Sequence, residues 1–202
     1  MSSRSDLRRQ LRARRRALSA EARRRAADRL VRVAIGAHAF RNARRIAFYF
    51  PADGEPDVLP LLERACAMHK HCYLPVLNTL GANRLWFVRY RPGDRLVFNR
   101  FGIAEPRRGP RHRIVAARLD LALIPLVGFD ERGNRLGMGS GFYDRTLGFL
   151  HRRREWRRPL CFGVAYEFQR VEHIDAADWD VPLDGCLTEQ RLYLFPRRGE
   201  AS

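Results

Sequence analysis

The stretch LDLALIPLVGFDERGNRLGMGSGFYDRTLGFL, residues 119–150, decides the fold of this chain. It begins with an apolar run over residues 119–125, which is typical of a strand buried inside a parallel sheet. Glycines then recur at positions 137, 139 and 141, and a helical pattern follows over residues 142–150. A strand, a glycine-rich turn and a helix in this order indicate an α/β fold, in which ligands gather where the parallel strands end.

Segments on both sides continue this alternation of strands and helices. Short apolar runs predict further strands, and the spacing of apolar residues predicts a helix over residues 58–68. The further predicted strands cover residues 46–50, 72–77, 85–90, 160–165, 185–188 and 192–195. We therefore expect an α/β fold, with a single doubly wound, mostly parallel sheet, helices on both faces and a basic N-terminal helix. Residues 1–196 would form one domain, and residues 197–202 a frayed tail.

Two helices are predicted before the first strand. Residues 5–17 form a short basic helix, with Leu7 and Leu11 one turn apart. Ser19 is a suitable N-cap for the second helix, and Glu21 lies in its first turn. One apolar stripe should pack the second helix against the sheet, while the arginines at 23–25 mostly face away. The members of that stripe are Ala22, Ala26, Leu30, Val33 and Ala37.

The chain of 202 residues is strongly basic, with a net charge of +17. Lys70 is its only lysine, and ten arginines lie among the first 25 residues. This charge fits either an anionic partner, such as nucleotide phosphate, polyglutamate or RNA, or a solvated basic surface. No apolar stretch is long enough to span a membrane, and no apolar segment follows the basic N-terminus as in a secretory signal. We interpret the chain as a soluble cytoplasmic protein.

The four cysteines form no Cys-x-x-Cys pair, and in a cytosolic chain we expect them to be reduced. Residues 66–72 also hold two histidines, but no second pair of ligands follows at the spacing of a zinc finger. A structural zinc site is therefore the weaker interpretation of this segment.

The glycine-rich turn has the chemistry of an anion site. Alternate glycines let backbone N–H groups approach an anion closely. Arg135 could form two hydrogen bonds with a phosphate, and Asp144 could hold a magnesium ion. The turn matches neither standard phosphate motif, because Phe142 stands where the dinucleotide fingerprint needs glycine and no lysine is present for a Walker A loop. Judged on its glycines alone, a tight turn without a ligand is the alternative.

The complete string is more specific than its glycines. The residues PLVGFDERGNRLGMGSGFYDRTL resemble the signature of the 5-formyltetrahydrofolate cyclo-ligase family. Four further segments resemble the same family in the same order, so that the resemblance spans residues 4–190. These segments are LRARRRALSAEARRRAADRL, IAFYFPADGEPDV, FGIAEPR and WDVPLDGCLTE.

The resemblance implies an enzyme that uses ATP to convert 5-formyltetrahydrofolate into 5,10-methenyltetrahydrofolate, with release of ADP and phosphate. In such an enzyme the γ-phosphate is transferred to the formyl oxygen, and the neighbouring amine attacks the activated carbon. The implied cofactor is Mg²⁺, and the implied partners are ATP and a reduced folate. Neither a membrane nor a nucleic acid is expected as a partner.

The resemblance also assigns candidate site residues. The catalytic residues would be Glu55, Arg135 and Tyr143. The ATP-binding residues would be Arg4, Arg8, Arg135, Leu136, Gly137, Met138, Gly139, Ser140, Gly141, Phe142 and Tyr143. The folate would contact Phe50, Glu55, Met138, Gly139, Ser140, Gly141 and Phe142. Magnesium would be held by Asp144 and Asp180.

The chain departs from the family pattern in two respects. Arg4 replaces a lysine that is common there, and neither Met138 nor Ser140 supplies the basic residue that some members carry. Without the resemblance, Phe50 is predicted to be a core residue and Glu55 a solvated acid in an acidic loop.

Two other functions compete with this interpretation. The high positive charge also suits an arginine-rich RNA-binding protein, although the aromatic residues 48–50 lie in a strand that should be buried and offer no stacking platform. A related protein that only stores folate is the third possibility. The candidate catalytic and metal-binding residues that the chain retains argue against it; they are Glu55, Arg135, Asp144 and Asp180.

Overall fold

The computed structural model describes residues 3–78, 83–107, 112–152 and 158–196. The α-helices in these ranges are α1 (Arg4–Arg16), α2 (Ala20–Gly36), α3 (His38–Asn42), α4 (Leu59–Ala67) and α5 (Phe142–Leu147). The strands are β1 (Arg45–Ala47), β2 (His71–Leu77), β3 (Leu85–Arg89), β4 (Leu96–Phe98), β5 (Ala104–Pro106), β6 (Arg113–Ile114), β7 (Leu121–Pro125), β8 (Gly128–Phe129), β9 (Arg135–Leu136), β10 (Leu160–Val164), β11 (Gly185–Leu187) and β12 (Leu192–Leu194). The tail predicted at residues 197–202 lies outside these ranges.

Across the described part of the chain, one main sheet has eight strands in the order β12-β11-β10-β7-β1-β2-β3-β6. The five central strands, from β11 to β2, are parallel. Antiparallel strands flank them, with β12 at one edge and β3 and β6 at the other. This confirms the predicted α/β fold with a mostly parallel sheet. The segments that follow the parallel strands therefore meet along one edge, which we call the carboxyl edge.

Helices α2, α3 and α4 cover one face of the sheet. Ser19 caps α2 as predicted, because its hydroxyl accepts a hydrogen bond from the backbone N–H of Ala22 at 3.1 Å. Of the predicted apolar stripe, Leu30 and Ala37 are buried and Val33 packs against the core, while Ala22 and Ala26 are half-buried. Ala27 and Ala34 are buried as well, because the helix packs both on the sheet and sideways on α4. Arg24 and Arg25 are exposed as predicted, and Arg23 is half-buried.

The other face is covered by α5 and the 3-10 turn that follows it, Gly148–Arg152. Leu147 and Leu150 are buried there against Ile124 and Cys161, which alternate along their strands with residues of the first face. None of the helices in the described ranges has the length and apolar character that a bilayer crossing requires.

Helix α1 lies at the carboxyl edge instead of on a face. Leu11 is buried and Leu7 half-buried in a small apolar cluster with Val127, Leu136 and Ile174. The two leucines, which the sequence places one turn apart, thus pack on the same apolar cluster. The arginines of α1 are thereby brought to the edge where the strands end.

Several short elements differ from the sequence-based expectation. Strand β1 ends at Ala47 rather than at residue 50, although the N–H of Phe48 still donates to the carbonyl oxygen of Tyr73 at 2.8 Å. The hairpin β4–β5 was not predicted, and the excursion predicted after residue 128 contains the small hairpin β8–β9. Strands of two or three residues are too short for alternation of apolar side chains to reveal them.

Candidate active site

The glycine-rich turn joins β9 to α5 at the carboxyl edge. Gly139 and Gly141 have φ angles of +101° and +63°, which residues with a side chain adopt only at a cost in free energy. A Cβ atom placed on Gly137 or Gly139 would meet no other atom within 4 Å. The backbone of the turn is therefore open to a ligand, as expected of a glycine-rich anion site.

Arg135 is held firmly beside this turn. Its side chain is 5% exposed and donates hydrogen bonds to the carbonyl oxygen of Val181 and to Oδ1 of Asp144. The same Oδ1 accepts from the backbone N–H of Val181 at 3.2 Å. These contacts tie the start of α5 to the segment that contains Asp180. The two predicted metal-binding acids thus come from segments that touch.

Each of those acids is paired with an arginine. Oδ2 of Asp180 accepts hydrogen bonds from Arg4 at 3.2 and 3.3 Å and from the N–H of Ala177 at 3.0 Å, while Asp144 faces Arg135. Among the described residues, no group of three or more His, Cys, Asp or Glu side chains is arranged to hold a metal. Two carboxylates can nevertheless hold Mg²⁺ when ligand oxygens and water supply the other positions, so the oxygen donors of Asp144 and Asp180 fit such an ion.

Two arginines of α1 reach the same region. Nε of Arg8 donates to the carbonyl oxygen of Gly137 at 2.8 Å, and Arg4 donates to the carbonyl oxygen of Asp175 at 2.7 Å. Burial lowers the pKa of Arg8, and the charges of Arg4 and Arg12 lower it further. A bound anion would offset this crowding of positive charge, which is the property expected of a phosphate contact.

Glu55, in the loop after β1, is buried rather than solvated. Its side chain is 9% exposed, Oε2 accepts from the N–H of Ala52 at 3.1 Å, and Oε1 lies 3.9 Å from Nη1 of Arg15. Burial raises the pKa of Glu55 to about 7, against the opposing effects of the Ala52 hydrogen bond and the Arg15 charge. A carboxyl group with this pKa can exchange a proton efficiently near neutral pH.

Two tyrosines are within electrostatic reach of Glu55. Tyr49, next to β1, donates to the carbonyl oxygen of Pro56 at 2.9 Å. The hydroxyl of Tyr143, on α5, is buried and has no hydrogen-bond partner among the described residues. Burial and then the Glu55 carboxylate raise the pKa of both hydroxyls. Glu55 and Tyr143, both predicted to be catalytic, are 88 positions apart in the sequence. The fold brings them close enough for the charge of Glu55 to affect the Tyr143 hydroxyl.

Aromatic side chains border the site on two sides. Phe50 packs edge-on against Tyr90 with ring centres 5.8 Å apart, so it is a partly exposed residue beside the core and not part of it. Phe142 packs edge-on against Phe101, at 5.9 Å, from the loop between β4 and β5. Met138 in the turn is 44% exposed. These apolar surfaces suit a flat heterocycle better than a highly charged ligand.

Three residues of this region were not identified from the sequence. Arg15 is completely buried between the loop after β1 and the segment after β7, but within a run of arginines nothing distinguishes it. Asp53 binds three arginines of α1, which its position in a run of loop acids does not reveal. Phe101 belongs to the segment FGIAEPR. This segment resembles the family, but the resemblance did not indicate a role for any single side chain in it.

Comparison with known proteins shows which family the chain resembles. The model of the 5-formyltetrahydrofolate cyclo-ligase family matches residues 1–189. The 5-formyltetrahydrofolate cyclo-ligase of Escherichia coli K12 is 40% identical over 153 residues, which is 75% of this chain and 81% of that protein. The enzyme of the same name from Haemophilus influenzae is 41% identical over 145 residues, covering 71% and 74% of the two chains.

Solved structures give the same result for the fold. The NMR structure of 5,10-methenyltetrahydrofolate synthetase from Aquifex aeolicus has a TM-score of 0.78 at 30% identity and covers 98% of this chain and 99% of its own. A 5,10-methenyltetrahydrofolate synthetase from Mycoplasma pneumoniae has a TM-score of 0.71 at 23% identity, with coverage of 93% and 99%, and supports the fold alone.

Proposed function

Because the chain belongs to the 5-formyltetrahydrofolate cyclo-ligase family, we propose that it uses ATP to close the ring of 5-formyltetrahydrofolate, giving 5,10-methenyltetrahydrofolate. The observation that carries the proposal is the position of Glu55, a buried carboxyl group with a pKa of about 7. It lies within electrostatic reach of Tyr143, which directly follows the glycine-rich turn. A proton acceptor and an anion-binding turn are thus adjacent, as a reaction between a folate and ATP requires.

In the first step the formyl oxygen attacks the γ-phosphorus of ATP, and the bond from that phosphorus to the bridging oxygen of ADP breaks. An amide oxygen is a poor leaving group, and its phosphorylation makes it a good one. The turn from Gly137 to Gly141 offers backbone N–H groups to the phosphates, and Arg8 offers a guanidinium. The fixed Arg135 neutralises charge near the transferred group.

In the second step the neighbouring secondary amine attacks the formyl carbon and closes the ring. Ionised Glu55 accepts the amine proton, because its raised pKa suits a base that works near neutral pH. The carbon–oxygen bond to phosphate then breaks, phosphate leaves, and the methenyl product carries the positive charge. Phe50, Phe142 and Phe101 provide the apolar walls for the folate ring.

Asp144 and Asp180 would hold Mg²⁺, which supplies charge neutralisation for the β- and γ-phosphates. Arg4, which is partly exposed, is placed to turn from Asp180 to phosphate oxygens when the nucleotide binds, whereas Arg135 stays fixed beside Asp144. The missing basic residue at Met138 and Ser140 leaves this neutralisation to Arg8, Arg135 and the backbone.

The arrangement of α1 favours this function over RNA binding. Its arginines mostly contact groups within the protein, which reduces the charge available to a polyanion. The arginines that do so are Arg4, Arg8, Arg9, Arg12, Arg15 and Arg16.

The decisive assay mixes purified protein, 5-formyltetrahydrofolate, ATP and Mg²⁺ and follows methenyl absorbance together with ADP release. Product should appear only when ATP and Mg²⁺ are both present, with one ADP for each product molecule. Product formation in EDTA, or ADP release out of step with product, would contradict the proposal. Tight binding to RNA that weakens by orders of magnitude over a few-fold rise in salt, without turnover, would favour the RNA-binding alternative.

A further inference from the structure

Arg15 is a buried charged residue that has no role in the two reaction steps proposed above. It is 0% exposed, and its guanidinium joins two segments of the carboxyl edge. Nε donates to the carbonyl oxygen of Asp53 at 2.8 Å, and Nη2 donates to Oδ2 of the same residue at 2.8 Å. Nη1 donates to the carbonyl oxygen of Leu126 at 3.2 Å and lies 3.9 Å from Oε1 of Glu55.

The hydrogen bonds of Arg15 fix the position of its guanidinium relative to the loop that contains Glu55. A planar guanidinium with several fixed partners cannot move toward or away from Glu55 without breaking hydrogen bonds to the backbone. The distance between Arg15 and Glu55 is thus set by α1, the loop after β1 and the segment after β7 together. A fixed positive charge at this range favours the ionised form of a buried carboxyl group.

We propose that Arg15 is a positioning residue for ring closure, one that holds the Glu55 carboxylate ionised and in place to accept a proton. The proposal rests on the function proposed above, since it concerns the base of that reaction. Arg15 does not itself touch the reacting atoms. Its contribution passes through Glu55.

The other groups around Glu55 do not supply this positive charge. Asp53, in the same loop, is negative and opposes ionisation of Glu55. Tyr49 beside β1 and Tyr143 on α5 are neutral hydroxyls whose own pKa values are raised by burial. Arg15 is therefore the positive group in the described part of the chain that forms an ion pair with Glu55.

The test compares Arg15→Gln with Arg15→Lys and Arg12→Met. Arg15→Gln removes the charge but can still donate hydrogen bonds to a backbone carbonyl. Arg15→Lys keeps the charge. Arg12→Met is the matched control, because Arg12 binds Asp53 at 2.7 Å from the same helix but forms no ion pair with Glu55 in the described structure.

Two readouts are measured over pH, namely kcat and the ¹³C chemical shift of the Glu55 carboxyl carbon in labelled protein. In Arg15→Gln both midpoints should move upward by about 1 pH unit, the usual effect of losing one opposite charge at this distance. At pH 7 this amounts to a loss of about fivefold in kcat, which should disappear above pH 9 while the KM for ATP stays unchanged. A purely structural role would lower activity at every pH.

Arg15→Lys and Arg12→Met should keep midpoints close to that of the parent protein. The proposal is overturned if the ¹³C midpoint in Arg15→Gln does not move, or if Arg15→Lys moves it as far. Should Arg15→Gln not fold, Arg15→Met, which also removes the charge, takes its place under the same criterion. Failure of the proposed function is distinguishable, because the parent protein would then form no methenyl product whereas the ¹³C titration would still report on Arg15 and Glu55.

Discussion

Nε of Arg8 lies 2.8 Å from the carbonyl oxygen of Gly137, so the first helix holds the glycine-rich turn across 129 positions of sequence. The same helix holds the Glu55 loop through Arg15 and Asp53. Helix α1 therefore links the segment proposed to bind the nucleotide to the segment proposed to bind the folate.

Replacement of Glu55 by Gln should lower turnover by about a hundredfold or more, the usual contribution of a general base. In the parent protein kcat should rise with pH through about 7, as Glu55 ionises. The variant should lose this dependence and bind ATP, measured by calorimetry, with unchanged affinity. Full activity in the variant, or a loss confined to ATP affinity, would remove Glu55 from its assigned role.

The same substitution should also change how stability depends on pH. The folded-state pKa of Glu55 is raised from 4.5 to about 7, so its stabilising proton is fully present below pH 4.5 and is lost as pH rises through 7. Relative to Glu55→Gln, the parent protein should lose up to about 3 kcal/mol of unfolding free energy between pH 4.5 and pH 8.5. Urea unfolding at several pH values measures this difference. Glu131→Gln, at an exposed position, is the control and should show no such change.

Arg8→Met should raise the KM for ATP by about tenfold to a hundredfold, because a charge-assisted hydrogen bond contributes roughly 1.5–3 kcal/mol. Its KM for 5-formyltetrahydrofolate should change little. Arg9→Met is a matched control from the same helix, since the Arg9 side chain is 75% exposed and pairs only with Asp6 in the described structure. Equal effects of the two substitutions on KM would show that the general charge of α1 matters rather than the Arg8 contact.

Asp144→Asn should weaken the dependence of turnover on Mg²⁺ much more than it weakens folding. The amide can still accept the hydrogen bonds from Arg135 and from the N–H of Val181, so the loss of unfolding free energy should stay near 1–3 kcal/mol, about the cost of weakening a buried charged pair. A magnesium titration of kcat and thermal unfolding measure the two effects. An unchanged titration would exclude Asp144 as a metal ligand.

Phe101→Ala should raise the KM for 5-formyltetrahydrofolate by about threefold to tenfold, the range expected when an aromatic contact of roughly 0.5–1.5 kcal/mol is removed. The KM for ATP should not follow it. Phe98, which is 79% exposed in the same hairpin, provides the control variant Phe98→Ala. A similar loss in both variants would indicate a general effect on the hairpin rather than a folate contact at Phe101.

The sequence allowed most of the sheet to be predicted, because each central strand is an apolar run between turn residues. It did not allow the end of β1 to be located or β4 and β5 to be found, since each of these strands spans only three residues. For the site, the glycine-rich string led to Arg135, Tyr143 and Asp144 through a family resemblance. Burial of Glu55 could not be predicted, because it depends on Arg15 and Tyr143, which the chain brings close only when folded.

The contacts of α1 also determine when this helix can dock while the protein is being synthesised. This helix precedes the sheet in the chain and is synthesised before it, yet Arg8 contacts Gly137, and Arg4 contacts Asp175 and Asp180, 129 or more residues further along. The strands from β1 to β10 can therefore pair before α1 has all the segments on which it docks. The proposed nucleotide-binding arrangement is thus complete only after the segment that contains Asp180 has been made.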